Sequence, residues 1–259
     1  AIIPVHMGGV ACDMDAIGAI AKEHDLFVVE DASHAHGSTW RGRALGTIGD
    51  MGCFSLGPPK TISTGEGGVI TTNSDELAQK SRIAMRLGEV AGDPGAESGE
   101  RPEERLDYVQ LGWNYRMSVA QAALGIGQMR RFADIQDART RAGLFLHEKL
   151  GNTPGVRVQT LPEESRSSFY TFPIEIEEGC GITRNELLAG LTREKIDFRL
   201  WSNVPLSSYS VFDQPPGDFP VAERLCRNSI GLRTDPALGL REHADTVKAL
   251  QRLLAWAKR

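Results

Sequence analysis

The chain has 259 residues, 41% hydrophobic and 24% charged, with a formal net charge of -5. This length provides ample core for one large domain or two modest ones, and the negative balance excludes a basic surface suited to nucleic acid or an anionic membrane. Cys12, Cys53, Cys180 and Cys226 are scattered without a C-x-x-C, so neither a zinc knuckle nor a disulfide framework is signalled, in keeping with a reducing cytoplasm.

In chain order, "AIIPV" (1–5) reads as a strand, and Asp13 caps an amphipathic helix with Ile17, Ile20 and Ala21 at helical spacing. "LFVVE" (26–30), "MGCFSL" (51–56) and "GGVITTN" (67–73) read as further strands, and residues 74–88 as a helix ending at Gly88. Strands apolar on both faces, alternating with helices, predict a mainly parallel α/β sheet. Residues 89–107 are rich in Gly, Pro and Glu and read as a surface loop. A long helix is predicted from Ser118 to about Leu150, with Leu124, Ile126, Met129 and Phe132 among its apolar positions, leading into a second domain. There "FYTFPIEI" (169–176) and "IDFRLW" (196–201) read as strands, and residues 183–195 and 241–259 as helices, an α+β pattern. On this pattern the chain divides at 1–135 and 136–259, with no internal repeat. No apolar run is long enough to span a bilayer and no signal peptide opens the chain. The first residue is alanine and the chain begins in a strand, so a further upstream portion is expected.

In an open α/β sheet, ligands bind beyond the carboxyl ends of the strands. Asp31 follows "LFVVE" at such an end. A lone acid there is most often a helix cap or a surface turn. Asp31, His34 and His36 could form a facial metal set, but no further His or Cys cluster supports it beyond His6. Lys60 follows Pro58 and Pro59, which stiffen the backbone and aim the amine. An exposed turn lysine is the commoner fate, yet a positioned, desolvated lysine has a lowered pKa and can form a Schiff base. Asp31 and Lys60 together meet the needs of pyridoxal phosphate: a lysine for the aldehyde and a carboxylate for the pyridine nitrogen. Ser55, five residues before Lys60, is a hydroxyl for the phosphate.

Residues 28–73, from "VVEDASHAHG" to "KTISTGEGGVITTN", closely resemble the central signature of the DegT/DnrJ/EryC1/StrS sugar aminotransferases. Looser similarity appears in "GWNYRMSVAQAALGIGQMRRF" (112–132) and "DFPVAERLCRNSIGL" (218–232), so the resemblance covers essentially the whole chain. It implies the aspartate-aminotransferase-like fold, type I among pyridoxal phosphate enzymes, with a three-layer, mainly parallel large domain and a smaller α+β domain. It implies that Lys60 holds the cofactor and moves the proton, that Asp31 partners the ring nitrogen, and that His34 lies near the ring or its phenolic oxygen. Ser55 is then a phosphate ligand, and Asn114 reaches the phosphate of a neighbouring subunit's cofactor in a homodimer. His36 carries no implied role and reads as a packed or surface histidine; Glu66 serves the "TGEGG" turn.

The implied reaction moves an amino group, from glutamate, to a nucleotide-linked keto sugar, in the cytoplasm. Two departures stand out. The family's upstream Gly-Thr phosphate loop and cofactor-stacking aromatic ring lie outside this sequence. Ser207 in "VPLSSY" stands where the family often has histidine, which leaves the substrate class open. Lysine at 60 argues against the sugar 3-dehydratases, which have histidine there. Two alternatives stay open: a branch similar to the aminohydroxybenzoate synthases, and a non-catalytic relative.

Overall fold

The computed structural model of the protein describes residues 1–91, 106–200, 204–212 and 217–257. The chain is a mixed α/β protein of two compact units, Ala1–Met7 with Ala11–Phe132, and Gly8–Val10 with Ala133–Arg259.

The first unit runs through α1 (Met14–Glu23), β1 (Val29–Asp31), β2 (Thr39–Trp40), β3 (Arg43–Ala44), β4 (Met51–Ser55), β5 (Gly68–Thr71), α2 (Asp75–Met85), β6 (Glu89–Ala91), β7 (Leu106–Tyr108) and α3 (Val119–Arg130). Asp13 caps α1 by accepting the Ala16 N–H at 3.0 Å, which satisfies one of the orphan donors of the first turn. Met14 and Ala21 are buried, whereas Ile20 is half exposed, so the predicted apolar face is rotated by about one residue. Val28, Ala32, Ala35, Trp40 and Leu45 complete this core with Met14 and Ala21.

β1 pairs in parallel with β4, placing Asp31 opposite Cys53. β5 returns antiparallel along β4, with Ser55 opposite Gly68. The described sheet is therefore mixed, with one parallel and one antiparallel pairing. The connection over residues 56–67 contains no helix, and a parallel return needs a crossover of about a dozen residues or more, usually helical. The first five residues make isolated parallel bridges, Ile2 to Val28 just before β1 and Val5 to Asp31 in it, rather than a continuous strand. Pro4 has no N–H to give a ladder, though its carbonyl accepts the Asp31 N–H at 2.9 Å.

Ser74 caps α2 through the Leu77 N–H, and the chain leaves that helix through Leu87 and Gly88 at positive φ. The segment read as one loop instead begins and ends in the antiparallel pair β6–β7; residues 92–105 lie outside the described residues. Ser118 and Gln121 form a reciprocal capping box at the start of α3. The predicted long helix is two helices, α3 and α4 (Phe132–Leu150). Arg131 leaves helical geometry between them, and its N–H is taken by the Gln128 and Met129 carbonyls. Gly125 and Gly127 inside α3 weaken continuation, and Leu124, Ile126 and Met129 remain exposed.

The second unit continues from α4 with β8 (Val156–Val158), β9 (Ser165–Arg166), β10 (Phe172–Ile176), α5 (Arg184–Arg193), β11 (Phe198–Arg199), α6 (Pro220–Asn228), β12 (Ser229–Leu232) and α7 (Leu240–Trp256). Its four-stranded sheet runs in the order β11-β12-β10-β8; each pairing is antiparallel. Leu146 and Leu150 of α4, Leu187 and Leu191 of α5, and Leu250 of α7 are fully buried with Ile174, Ile230 and Leu232 of the sheet. Burying each such side chain is worth about 1.5–3 kcal/mol, so this core is the main reason the unit holds together. The tail of the predicted strand 196–201 ends with Trp201, outside the described residues.

Candidate active site

The parallel pairing of β1 with β4 sets the site. Asp31 is the last residue of β1 and Ser55 the last of β4. Parallel neighbours place both at the same, carboxyl edge of the sheet, where ligands of open α/β sheets bind.

The Asp31 backbone is fixed from both sides. Its N–H donates to Pro4 O at 2.9 Å and its carbonyl accepts the His6 N–H at 3.1 Å, while the Ala32 N–H reaches Cys53 O at 2.9 Å. Its side chain is half-buried, and Oδ1 accepts the Ser33 N–H at 3.0 Å. The carboxylate's charge is felt locally: burial, and then Asp31, push the Cys53 thiol up. The turns that follow, Ala35 N–H to Ala32 O and Ser38 N–H to Ala35 O, both at 2.9 Å, carry His34 at intermediate burial just past the strand end. His36 is buried and packs its ring 5.3 Å from that of Phe54. Among the described residues, no three His, Cys, Asp or Glu side chains are grouped to hold a metal ion.

The loop after β4 is closed on itself. Leu56 N–H reaches Gly67 O at 2.9 Å, Thr64 N–H reaches Leu56 O at 3.0 Å, and Lys60 N–H reaches Gly57 O at 3.1 Å. Leu56, Ile62 and Thr64 are buried beneath it, while Pro58 and Pro59 are exposed and Lys60 is half-buried. The Glu66 carbonyl accepts the Thr64 hydroxyl at 2.8 Å and the Gln121 amide at 2.9 Å, so Glu66 serves the turn through its backbone. Ser55 Oγ accepts a long bond of 3.4 Å from the Gly57 N–H, and a hydroxyl that accepts keeps its own proton to give.

Whether pyridoxal phosphate suits these residues can be judged on the donors present. Thr61, next to Lys60, is buried, and its hydroxyl has no hydrogen-bond partner among the described residues. Buried polar atoms are nearly always satisfied, so an orphan hydroxyl beside the lysine fits a polar ligand there. With Asp31, Ser55 and Lys60 it supplies a carboxylate, an amine and hydroxyls, the chemistry the cofactor's nitrogen, aldehyde and phosphate call for. Sequence reasoning missed Thr61; its only signal was adjacency to Lys60.

Asn114 is elsewhere in the unit. It bridges to Arg86 at the end of α2, and its Oδ1 accepts from Arg116 Nε at 3.0 Å. The α3 cap is Ser118, so Asn114 does not serve as that helix's cap. It lines a cavity of about 1170 Å³ with Glu66, Thr71, Arg82 and Tyr115 among others; Asp31, His34, Ser55 and Lys60 are not in the lining. Trp113 and Tyr115, on either side of Asn114, are stacked at 5.8 Å and lie exposed.

The sequence profile of the DegT/DnrJ/EryC1/StrS aminotransferase family matches residues 1–251. The chain is 31% identical to the spore coat polysaccharide biosynthesis protein SpsC of Bacillus subtilis, over 99% of this chain and 67% of that one. It is 38% identical to the GDP-perosamine synthase of Caulobacter vibrioides, over 77% of this chain and 51% of that one. A solved DegT DnrJ EryC1 StrS aminotransferase from Brucella abortus superposes with a TM-score of 0.83 at 29% identity, covering 97% of this chain and 64% of that one. The chain thus spans between about half and two thirds of these relatives' lengths.

Proposed function

The chain belongs to the DegT/DnrJ/EryC1/StrS aminotransferase family, and on that premise we propose that it is part of a pyridoxal-phosphate-dependent aminotransferase. The substrate class is a nucleotide-linked keto sugar, with glutamate as the amino donor, in amino-sugar, cell-surface polysaccharide or antibiotic biosynthesis. The names of the relatives from Bacillus subtilis and Caulobacter vibrioides support polysaccharide and sugar chemistry. The observation that carries the reading is the placement of Asp31 and Ser55 on the carboxyl ends of adjacent parallel strands, with Lys60 five residues beyond Ser55.

Bound pyridoxal phosphate supplies an electron sink for the pair released when a bond at the amino-bearing carbon breaks. The rest falls to the chain's own residues. The Lys60 amine is the nucleophile toward an aldehyde, and once released it takes the proton from the donor carbon and returns it one position away. Asp31 holds a proton on a ring nitrogen by opposite charge. Ser55 and Thr61 would give hydroxyl hydrogen bonds to the cofactor's phosphate, and His34 would lie beside its ring. On this reading residues 1–135 belong to the cofactor-binding domain, a three-layer sheet when complete, and 136–259 form the small domain. The protein works in the cytoplasm as a homodimer in which Asn114 serves the partner's site.

The test is the half-reaction with an amino donor. Lys60→Ala should abolish conversion of bound cofactor to its amine form while leaving thermal stability near wild type. Normal conversion by that variant refutes the proposal. A branch acting on a cyclic ketone, similar to the aminohydroxybenzoate synthases, is separated by assaying both acceptor classes.

A further inference from the structure

Glu30 is the middle residue of β1, wholly buried, and is not used by the chemistry above. Its carboxylate collects four donors: Gly46 N–H at 2.7 Å, Ile48 N–H at 2.6 Å, Gly49 N–H at 2.7 Å, and His6 Nε2 at 3.0 Å. His6 is itself wholly buried, and its Nδ1 accepts the Cys12 N–H at 3.2 Å. That contact fixes the tautomer: the ring carries its proton on Nε2 and gives it to Glu30.

Burying a carboxylate is unfavourable, and apolar side chains of similar volume are often at least as stabilising at such positions. The three amides belong to the Gly46–Gly49 strap, which lies directly on the sheet. The Gly46 carbonyl accepts the Thr71 hydroxyl of β5, and a Cβ on Gly52 of β4 would collide with that same carbonyl oxygen. Glu30 therefore clasps a strap that reaches β5 across β4. On its other side His6 is tied twice to the same dipeptide, by its ring to Glu30 and by its N–H to the Asp31 carbonyl. Successive side chains on a strand point to opposite faces. Four bonds that fix Glu30 on one face thus fix the direction in which Asp31 projects from the other.

We propose that Glu30, held by His6 and the Gly46–Gly49 amides, is a positioning residue that sets the direction of the Asp31 carboxylate. The inference rests on the reading of Asp31 as the partner of the cofactor's ring nitrogen. It assigns Glu30 a role in the pitch of the site, and it makes the "GTIG" strap part of the active-site support.

The experiment uses protein loaded with pyridoxal phosphate and three variants, Asp31→Asn, Glu30→Gln and His6→Phe. Each is read by the pH titration of the bound cofactor's absorbance, by kcat and KM for the amino donor, and by thermal melting. In Glu30→Gln the new side-chain NH2 faces amide donors, and the charge that gathers them is gone. The expected result is that Glu30→Gln moves the absorbance titration in the same direction as Asp31→Asn, lowers kcat by about tenfold or more, and leaves KM within about twofold. Glu30→Asp should restore part of both. His6→Phe, which removes one donor of the four, should give a smaller shift of the same sign; it carries the test if Glu30→Gln does not fold.

If these variants melt earlier but keep the wild-type titration and kcat, Glu30 is structural only and the inference is overturned, with the role of Asp31 intact. If Asp31→Asn itself leaves the titration unchanged, the functional reading fails and the inference falls with it.

Discussion

Replacing Asp31 with asparagine isolates one charge. The backbone at 31 is pinned by Pro4 and His6, and Oδ1 accepts from the Ser33 N–H; an asparagine oxygen can make the same contact. The fold should therefore tolerate the change, with a melting temperature within about 2 °C of wild type, equivalent to under about 1 kcal/mol. The chemistry should not tolerate it. A unit charge about 4 Å from a protonated ring nitrogen, at an effective dielectric of about 20, is worth about 4 kcal/mol. Asp31 is only half-buried in this chain, and solvent screening lowers that to about 2 kcal/mol at the weak end. At about 1.4 kcal/mol per factor of ten, kcat should fall between about thirtyfold and a thousandfold. Steady-state kinetics on matched holoprotein, with a melting curve for each preparation, measures this. A loss of less than about tenfold in a variant that melts normally refutes the charge-pair reasoning.

Other outcomes follow from the same structure. Hydrogen bonds from His6 and from Gly49, Gly46 and Ile48 outweigh burial and hold the Glu30 pKa below the ordinary carboxylate value. Its contribution to stability is therefore present above that ordinary value and lost as pH falls through the depressed one; denaturant melts should show acid destabilisation that is smaller in Glu30→Gln. Leu250→Ala, at a fully buried position of the second unit's core, should cost about 2–5 kcal/mol in urea unfolding while leaving cofactor absorbance unchanged. Mixing Asn114→Ala with Lys60→Ala subunits should recover part of the activity if Asn114 serves the partner's site; well-mixed heterodimers with no recovery contradict the shared site.

The strand-end placement of two candidate site residues was legible because strand ends are legible. The change from "LFVV" to acids, and from "MGCF" to "SLG", located Asp31 and Ser55, and the two strands do lie side by side in parallel. Glu30 was equally visible as an acid in an apolar run, but its partners His6 and residues 46–49 are 16 to 24 positions away, and no local pattern announces such a contact. The direction of β5 is not given by periodicity, which reports a strand without its polarity; the helix-free connection over 56–67 is the readable clue. Ile20, Leu124, Ile126 and Met129 show a further limit. Helical spacing places apolar residues on a face, but only tertiary packing decides whether that face is covered. The break at Arg131 carried no proline and only nearby glycines as a hint.

In the proposed reaction everything depends on Lys60 being the residue that holds pyridoxal phosphate. Borohydride reduction of the holoprotein, followed by peptide mapping, tests it most directly. The visible or near-ultraviolet band should disappear, and one phosphopyridoxyl group should be found on Lys60. An adduct on another lysine, or none in protein that binds the cofactor, would contradict it.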